Sequence, residues 1–268
     1  MIEAYSLYSG SSGNAYLVRH GETSILVDGG KSSAALCRSL RAVGCEPEDI
    51  SAVLITHEHI DHTSALRVFN KKYRIPLIGA TPVLSAVCEN EGMCDCARAL
   101  APGREFYVGS VCVCGCATPH DSAANMCYSF STDEGDRLVI ATDMGEVTGE
   151  CAEFLSGATC AVIEANHDPE MLKFGSYPPK LKSRIASKWG HLSNEQCADL
   201  AVGLARSGAT GFVLAHLSHE NNTPELALAT VSDMLERSGF AGLPVACAGE
   251  NSCVRVRVSD GKCEICCD

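Results

Sequence analysis

The chain has 268 residues, 46% of them hydrophobic and 20% charged, with a formal net charge of −12, a composition that suits a soluble globular protein of one sizeable domain. No apolar run approaches the roughly 20 residues a membrane span needs, and Met1-Ile2-Glu3-Ala4-Tyr5 lacks the basic-then-apolar order of a secretory signal, so a cytoplasmic location without a membrane partner is expected. The acidic balance, taken alone, argues against nucleic acid, which wants a basic face.

Residues 2–8 and 14–29 read as strands, with Tyr16-Leu17-Val18 and Ser24-Ile25-Leu26-Val27 as apolar centres. The link Ser9-Gly10-Ser11-Ser12-Gly13-Asn14 is either a plain connection or a nest of backbone N–H groups for an anion. Asp28 is either a turn former or a group that hydrogen-bonds ligand histidines. Helical periodicity over 31–44 puts Ala34, Ala35, Leu36, Leu40 and Val43 on one side, and Gly44 stops it. The run Ser51-Ala52-Val53-Leu54-Ile55 reads as a buried strand feeding Thr56-His57-Glu58-His59-Ile60-Asp61-His62. Three histidines and an aspartate in one turn would strand several ionisable groups without a metal. His57 and His59, two apart, share a face of an extended chain. Asp61 and His62 follow the turn, so the two pairs point to two adjacent sites.

Residues 63–73 read as a helix, 76–79 as a strand, 82–91 as a second helix and 93–103 as irregular. A strand over 111–117 leads to His120, where a lone histidine would be structural; the first motif leaves a metal short of a third ligand, and His120 supplies it. Strands over 126–132 and 137–141, joined by Asp133-Glu134-Gly135-Asp136, lead to Asp143, a strand-end carboxylate able to bridge two cations. The strand over 159–165 ends in Glu164-Ala165-Asn166-His167-Asp168. From Met171 to Gly190 the chain carries Lys173, Lys180, Lys182, Arg184 and Lys188 and no acid, whereas a solvated face normally mixes signs. Ser193 caps a helix running to about Arg206, placing His191 just ahead of a helix start. The strand 212–215 ends in His216-Leu217-Ser218-His219, Thr223-Pro224 opens a last helix, and strands near 244–247 and 253–258 finish the chain. His167 reads equally as a support for a ligand or as a phosphate contact, His219 as a support for a ligand or as structural, and His20 as a surface residue.

The 17 cysteines, with nothing pointing to export, read as free thiols in a strongly reducing cell. Cys112, Cys114 and Cys116 alternate along one strand and read as small buried hydrophobes. The tail Cys263-Glu264-Ile265-Cys266-Cys267-Asp268 lacks a second C-x-x-C pair and reads as a frayed terminus rather than a soft-metal site.

The pattern H-x-H-x-D-H after an apolar strand resembles the metallo-β-lactamase superfamily. The resemblance implies an α/β fold, an αββα four-layer sandwich of two mixed sheets flanked by helices. The absence of a repeat or linker supports one domain over 1–268, too short for the inserted β-CASP domain of other nucleases of that superfamily. The implied ligands are His57, His59 and His120 on one metal and Asp61, His62 and His216 on another, with Asp143 bridging. Nitrogen and oxygen donors without thiolate suit two divalent ions, Zn, Mn or Fe. Asp143 stands where many true β-lactamases place a Cys, and His59 where flavodiiron proteins have Glu. Glu164 followed by Gly190-His191-Leu192-Ser193 resembles the tRNase Z arrangement, in which the Glu orients a His that protonates the leaving alkoxide. Together with Gly10-Ser11-Ser12-Gly13-Asn14, these stretches resemble the YycJ/WalJ-like branch over nearly the whole chain.

That branch implies a nuclease acting 5′→3′ on DNA ends, with Ser11, Ser12 and Asn14 lining the site. The acid-free segments 63–80 and 171–190 lie beside ligand motifs and are expected to rim the site with positive charge that attracts phosphates. Lys180, Lys182, Arg184 and His167 are the candidate substrate contacts. The expected chemistry is metal polarisation of the phosphate, attack by a bridging hydroxide, and protonation of the leaving oxygen by His191, with Asp61 and Glu164 as the other catalytic candidates. A thioester, lactone or other small-molecule hydrolase of glyoxalase-II type would share every ligand but needs neither His191 nor the basic residues. A non-catalytic redox or metal sensor built on the cysteines is the rival from another class.

Overall fold

The computed structural model describes residues 1–88, 96–250 and 252–267. The first half runs β1 (Ile2–Tyr8), β2 (Ala15–His20), β3 (Thr23–Val27), α1 (Ser33–Ala42), β4 (Ala52–Leu54), α2 (Ile60–Thr63), α3 (Leu66–Tyr73), β5 (Leu77–Gly79), α4 (Thr81–Cys88), β6 (Ala97–Ala99), β7 (Phe106–Val108) and β8 (Val111–Ala117). The second half runs β9 (Met126–Ser131), β10 (Arg137–Ala141), α5 (Gly149–Leu155), β11 (Cys160–Glu164), α6 (Pro169–Phe174), α7 (Pro179–Ile185), α8 (Asn194–Arg206), β12 (Gly211–Ala215), α9 (Pro224–Arg237), β13 (Val245–Cys247), β14 (Val254–Ser259) and β15 (Lys262–Cys267). An eight-stranded sheet has the order β15-β14-β1-β2-β3-β4-β5-β6 and a seven-stranded sheet the order β13-β12-β11-β10-β9-β8-β7. Both are mixed: β3 through β6 are mutually parallel, as are β10 through β13, and the remaining pairs are antiparallel.

Alternation along the strands assigns the layers. Leu138, Ile140, Val162 and Val213 point into the core between the sheets, while Val139, Ala141, Ile163, Phe212 and Leu214 pack with residues of α5, α8 and α9 on the outer face. Strands with both faces covered read as continuous apolar runs. On the other sheet Leu36 and Leu40 of α1, Leu66 and Phe69 of α3, and Val83 and Leu84 of α4 complete the outer layer. The four-layer expectation is met. Hydrogen bonds cross between the sheets where the site lies: Tyr128 Oη donates to the Ile55 carbonyl at 2.7 Å and Met126 N to the Thr56 carbonyl at 3.2 Å.

Several expectations need correction. The tail is not frayed: β15 pairs with β14 from Lys262 to Cys267 because alternating Cys263 and Ile265 supply an inward face. Cys112, Cys114 and Cys116 occupy the half-buried face of β8, and Val111, Val113 and Gly115 take the buried one. The acid-free segment 171–190 folds into α6 and α7, with Pro169 and Pro179 in their first turns. The helix over 82–91 covers Thr81–Cys88; its last three expected positions lie outside the described residues, as does the beginning of the stretch expected to be irregular, where β6 forms from Ala97. His219 is a surface residue beside Glu220, its side chain 81% exposed, and His20 is half-buried with Nδ1 2.8 Å from Ser110 Oγ. Of the basic residues of 63–80, Arg67 stands in the first turn of α3, while Lys71 and Lys72 stand in its last and Arg74 follows it. Because β4 and β5 are parallel, the chain must return to the opposite sheet edge, and α3 makes that return, carrying Lys71, Lys72 and Arg74 to its far end.

Candidate metal centre

Every candidate ligand lies just past a strand of one sheet or the other. The turn after β4 carries His57 and His59, and α2 carries Asp61 and His62. The turns after β8, β10 and β12 carry His120, Asp143 and His216. Four ligand-type clusters result: His57 with His59 and His120; His57 with His62 and Asp143; Asp61 with His62 and His216; and Asp143 with Glu164, His191 and His216, the ligand atoms of each lying within 4.8 Å of one another. The two three-residue sets expected from the sequence are both present, and Asp143 falls between them: Oδ2 is 3.3 Å from His62 Nε2 and Oδ1 3.9 Å from His120 Nε2. Asp28, Asp143 and His216 have φ of 61°, 58° and 55°. Non-glycine residues seldom adopt this left-handed region, and such backbone gathers at functional sites.

The hydrogen bonds assign the tautomers. A carboxylate can only accept, so Nδ1 of His62 donates to Asp28 Oδ2 at 2.7 Å, and Nδ1 of His216 donates to Glu164 Oε1 at 2.8 Å. Nδ1 of His120 donates to the Gly190 carbonyl at 3.0 Å. Thr56 Oγ1 donates to Asp28 Oδ2 and therefore accepts from His57 Nδ1 at 3.0 Å. Each ring thus turns its proton outward and its Nε2 inward. Nε2 of His57, His120 and His216 and Oδ2 of Asp143 are buried with no hydrogen-bond partner. Buried orphaned acceptors are costly, and their convergence fits divalent cations held by nitrogen and oxygen donors.

The charges agree. Burial, then the neighbouring His62, pushes His57 well down, and burial lowers His120. Burial acts against charge on His216 too, but Asp143 and the Asp61 and Glu164 contacts lift it to about 10. For His62, Asp143 and Asp28 overcome burial and raise it well above the usual value. The carboxylates demand positive charge at the centre of the cluster, which bound cations can supply in place of protons.

Glu164 is fully buried, and its carboxylate accepts four times. Oε1 takes Nδ1 of both His191 and His216 at 2.8 Å, and Oε2 takes the N–H of Met144 at 2.9 Å and of Leu192 at 3.2 Å. Burial would raise its pKa, but His191 and the hydrogen bonds from both rings hold it at about 2. His191 is fixed from behind: Ser193 and Gln196 form a capping box at the start of α8, and Asn166 N donates to the Leu192 carbonyl at 3.0 Å. Its side chain is 18% exposed.

The expected substrate contacts divide. Ser11 and Ser12 are exposed on the loop before β2. Asn14 is fully buried; its amide lies 3.0 Å from His62 Nε2 and 3.3 Å from Asp61 Oδ2, and its Oδ1 accepts from Gly10 N. Lys182 donates to the carbonyls of Lys173 and Gly175, tying α7 to α6, and Arg184 pairs with Asp121 beside His120. Lys180 is exposed. His167 is buried, with Nδ1 unpartnered, on a cavity of about 420 Å³ between α6 and α7; burial lowers its pKa to about 4. Sequence reading gave no role to Thr56 and Glu58. Thr56 links Asp28 to His57, and Glu58 Oε1 accepts from Ala123 N at 2.7 Å, bracing the loop after His120.

Two mixed sheets between helices, with histidines and aspartates converging at one shared edge, define a metallo-β-lactamase fold. A family model described as the beta-lactamase superfamily domain matches residues 23–217. The chain belongs to the beta-lactamase superfamily, as a metal-dependent hydrolase. It is 35% identical over 236 residues to "Exodeoxyribonuclease WalJ" of Streptococcus pneumoniae serotype 2 (strain D39), covering 87% of each protein. It is also 35% identical to "Exodeoxyribonuclease YycJ" of Bacillus anthracis, covering 87% of this chain and 89% of that one. Among solved structures, the metallo-β-lactamase fold protein YhfI of Bacillus subtilis superposes with a TM-score of 0.71 at 17% identity, over 95% of this chain and 99% of that one. No helix among the described residues is long and apolar enough to cross a membrane.

Proposed function

We propose that the protein is a binuclear metal-dependent phosphodiesterase that degrades DNA from its ends in the 5′→3′ direction. Two divalent ions, Zn, Mn or Fe, would be held by His57, His59 and His120 and by Asp61, His62 and His216, with Asp143 available to both. When bound they supply a Lewis acid and a water acidified to about neutral pKa. The observation that carries the reading is the Glu164–His191 pair. Glu164 Oε1 accepts a hydrogen bond from His191 Nδ1 and so fixes the ring, leaving Nε2 to carry a proton for the departing alkoxide. A thioester substrate, whose leaving thiolate is stable unprotonated, needs no such donor. The names of the two relatives above support DNA as substrate, and the exposed Lys180 with Ser11 and Ser12 offers contacts for its backbone. His167, on its cavity, is a further backbone contact. Asp61 would help hold the second ion. The chain acts as one domain without an inserted β-CASP unit. The free cysteines suit a reducing, cytoplasmic setting.

The test is His191→Ala on metal-loaded protein. Turnover of end-labelled DNA should fall by about 10²–10⁴ with metal content unchanged. A parallel loss of metal would remove the proton-donor role. Hydrolysis of a generic thioester but no phosphodiester by the wild type would place the protein with the small-molecule hydrolases.

A further inference from the structure

Trp189 is the chain's one tryptophan, and it stands 50% exposed. Its backbone is nonetheless clamped. A Cβ on Gly145 would meet the carbonyl of Lys188 at 2.2 Å and the nitrogen of Trp189 at 2.5 Å; one on Gly190 would meet the carbonyl oxygens of Ile185 and Arg184 at 2.1 and 2.3 Å. Segment 188–190 is therefore pressed against the turn that carries Asp143, and the Gly190 carbonyl holds His120. Trp189 precedes His191 by two residues, a span of at most roughly 7 Å. Across the cluster, on the other sheet's turn, Ile60 stands 75% exposed between His59 and Asp61. Exposed apolar side chains therefore stand two residues from His191 on one turn and between two ligands on the other. Lys188 Nζ lies 5.3 Å from the indole centroid, on a segment with no acid from Met171 to Gly190. An exposed flat ring beside a cation, on a backbone held against the turn of Asp143 and two residues from His191, is the kind of surface on which single-stranded bases stack.

We propose that Trp189 is a specificity-determining residue whose indole stacks on the unpaired base flanking the scissile phosphodiester. The protein then takes a single-stranded or frayed DNA end in preference to a fully paired one. This rests on the phosphodiesterase reading above. A base in a closed duplex is covered by its neighbours on both faces and cannot offer a free face to the ring, so pairing at the end should weaken binding.

The sole tryptophan makes the contact directly observable. Metal-loaded wild type titrated with a hydrolysis-resistant phosphorothioate single strand should show quenched indole fluorescence, and the same strand with an abasic residue at the terminal linkage should not. In kinetics, Trp189→Ala should raise KM for single-stranded DNA by roughly 5- to 100-fold, changing kcat far less, while Trp189→Phe keeps most of the affinity. The KM penalty should disappear on the abasic substrate, where there is no base to stack. An equal penalty on the abasic substrate, or quenching indifferent to the base, overturns the proposal while leaving the nuclease reading intact. If wild type hydrolyses no DNA, both fail together. Should Trp189→Ala not fold, the wild-type titration and Trp189→Phe still decide the matter.

Discussion

Asp28 shows how much a single side chain can organise. Its Oδ1 accepts Thr56 N at 2.8 Å, and its Oδ2 accepts both Thr56 Oγ1 at 2.8 Å and His62 Nδ1 at 2.7 Å, all with no solvent exposure. Asp28→Ala would leave a buried N–H and a buried ring N–H without acceptors, at about 1–3 kcal/mol each. A drop in the urea midpoint and a metal affinity about 10- to 100-fold weaker should both appear, the first by denaturation and the second by competition with a chromogenic chelator. The sequence left Asp28 open between turn former and ligand support. The structure makes it both: φ of 61° places it in a tight turn, and the turn aims its carboxylate at His62. Asn14 was legible as part of the site but not in its role, because only folding brings it within 3.0 Å of His62, 48 positions away.

At the scale of elements, glycines separate packing from propensity. A Cβ on Gly30 would fall 2.1 Å from the Asp61 carbonyl oxygen and 2.4 Å from Asn14 N, so two backbone segments would have to part. Gly203, in α8, has nothing within 4 Å of where a Cβ would go. Gly30→Ala should destabilise by about 1–3 kcal/mol, and Gly203→Ala should stabilise by about 0.5–1 kcal/mol by adding helix propensity. Paired urea titrations read opposite shifts. Helix and strand identities were mostly legible from periodicity, as for α1, β8 and α8. The elements missed were those too short to show a period, such as α2 and β6, and β15, whose alternating Cys263 and Ile265 read as part of an unpaired end.

For the whole molecule, the centre joins the two sheets: one supplies His57, His59, Asp61 and His62, the other His120, Asp143 and His216. A ligand bound only by the folded state stabilises by about 2.7 kcal/mol at a hundredfold excess over Kd. Chelation should therefore lower Tm by roughly 5–10 °C, read by calorimetry, and readdition of metal should restore it. A second fastening sits at the sheet's other region, where Glu3 of β1 pairs with Arg255 and Arg257 of β14. Burial raises the Glu3 pKa, but the hydrogen bonds from Arg255 and Arg257 outweigh it and leave it below 4.5. A depressed carboxyl stabilises above its unfolded pKa and loses that contribution as pH falls through the folded one. Glu3→Gln should thus lower stability at neutral pH and flatten its decline below about pH 4.5, seen in urea midpoints across pH.

The sequence by itself determined which chemistry this chain carries. Histidines and aspartates at strand ends in H-x-H-x-D-H spacing name a metal site because ligand type and local spacing are local properties. The alternation of apolar strands and helices also fits a layered architecture, though the pairing of β1 with β14 joins segments from opposite ends of the chain. Only the tertiary structure decided which basic residues face the site and which amides hold its ligands. Parallel β4 and β5 send the charged end of α3 to the far edge, and sheet packing brings Glu164 under both His191 and His216. Those outcomes depend on where distant segments meet, which composition and periodicity do not encode.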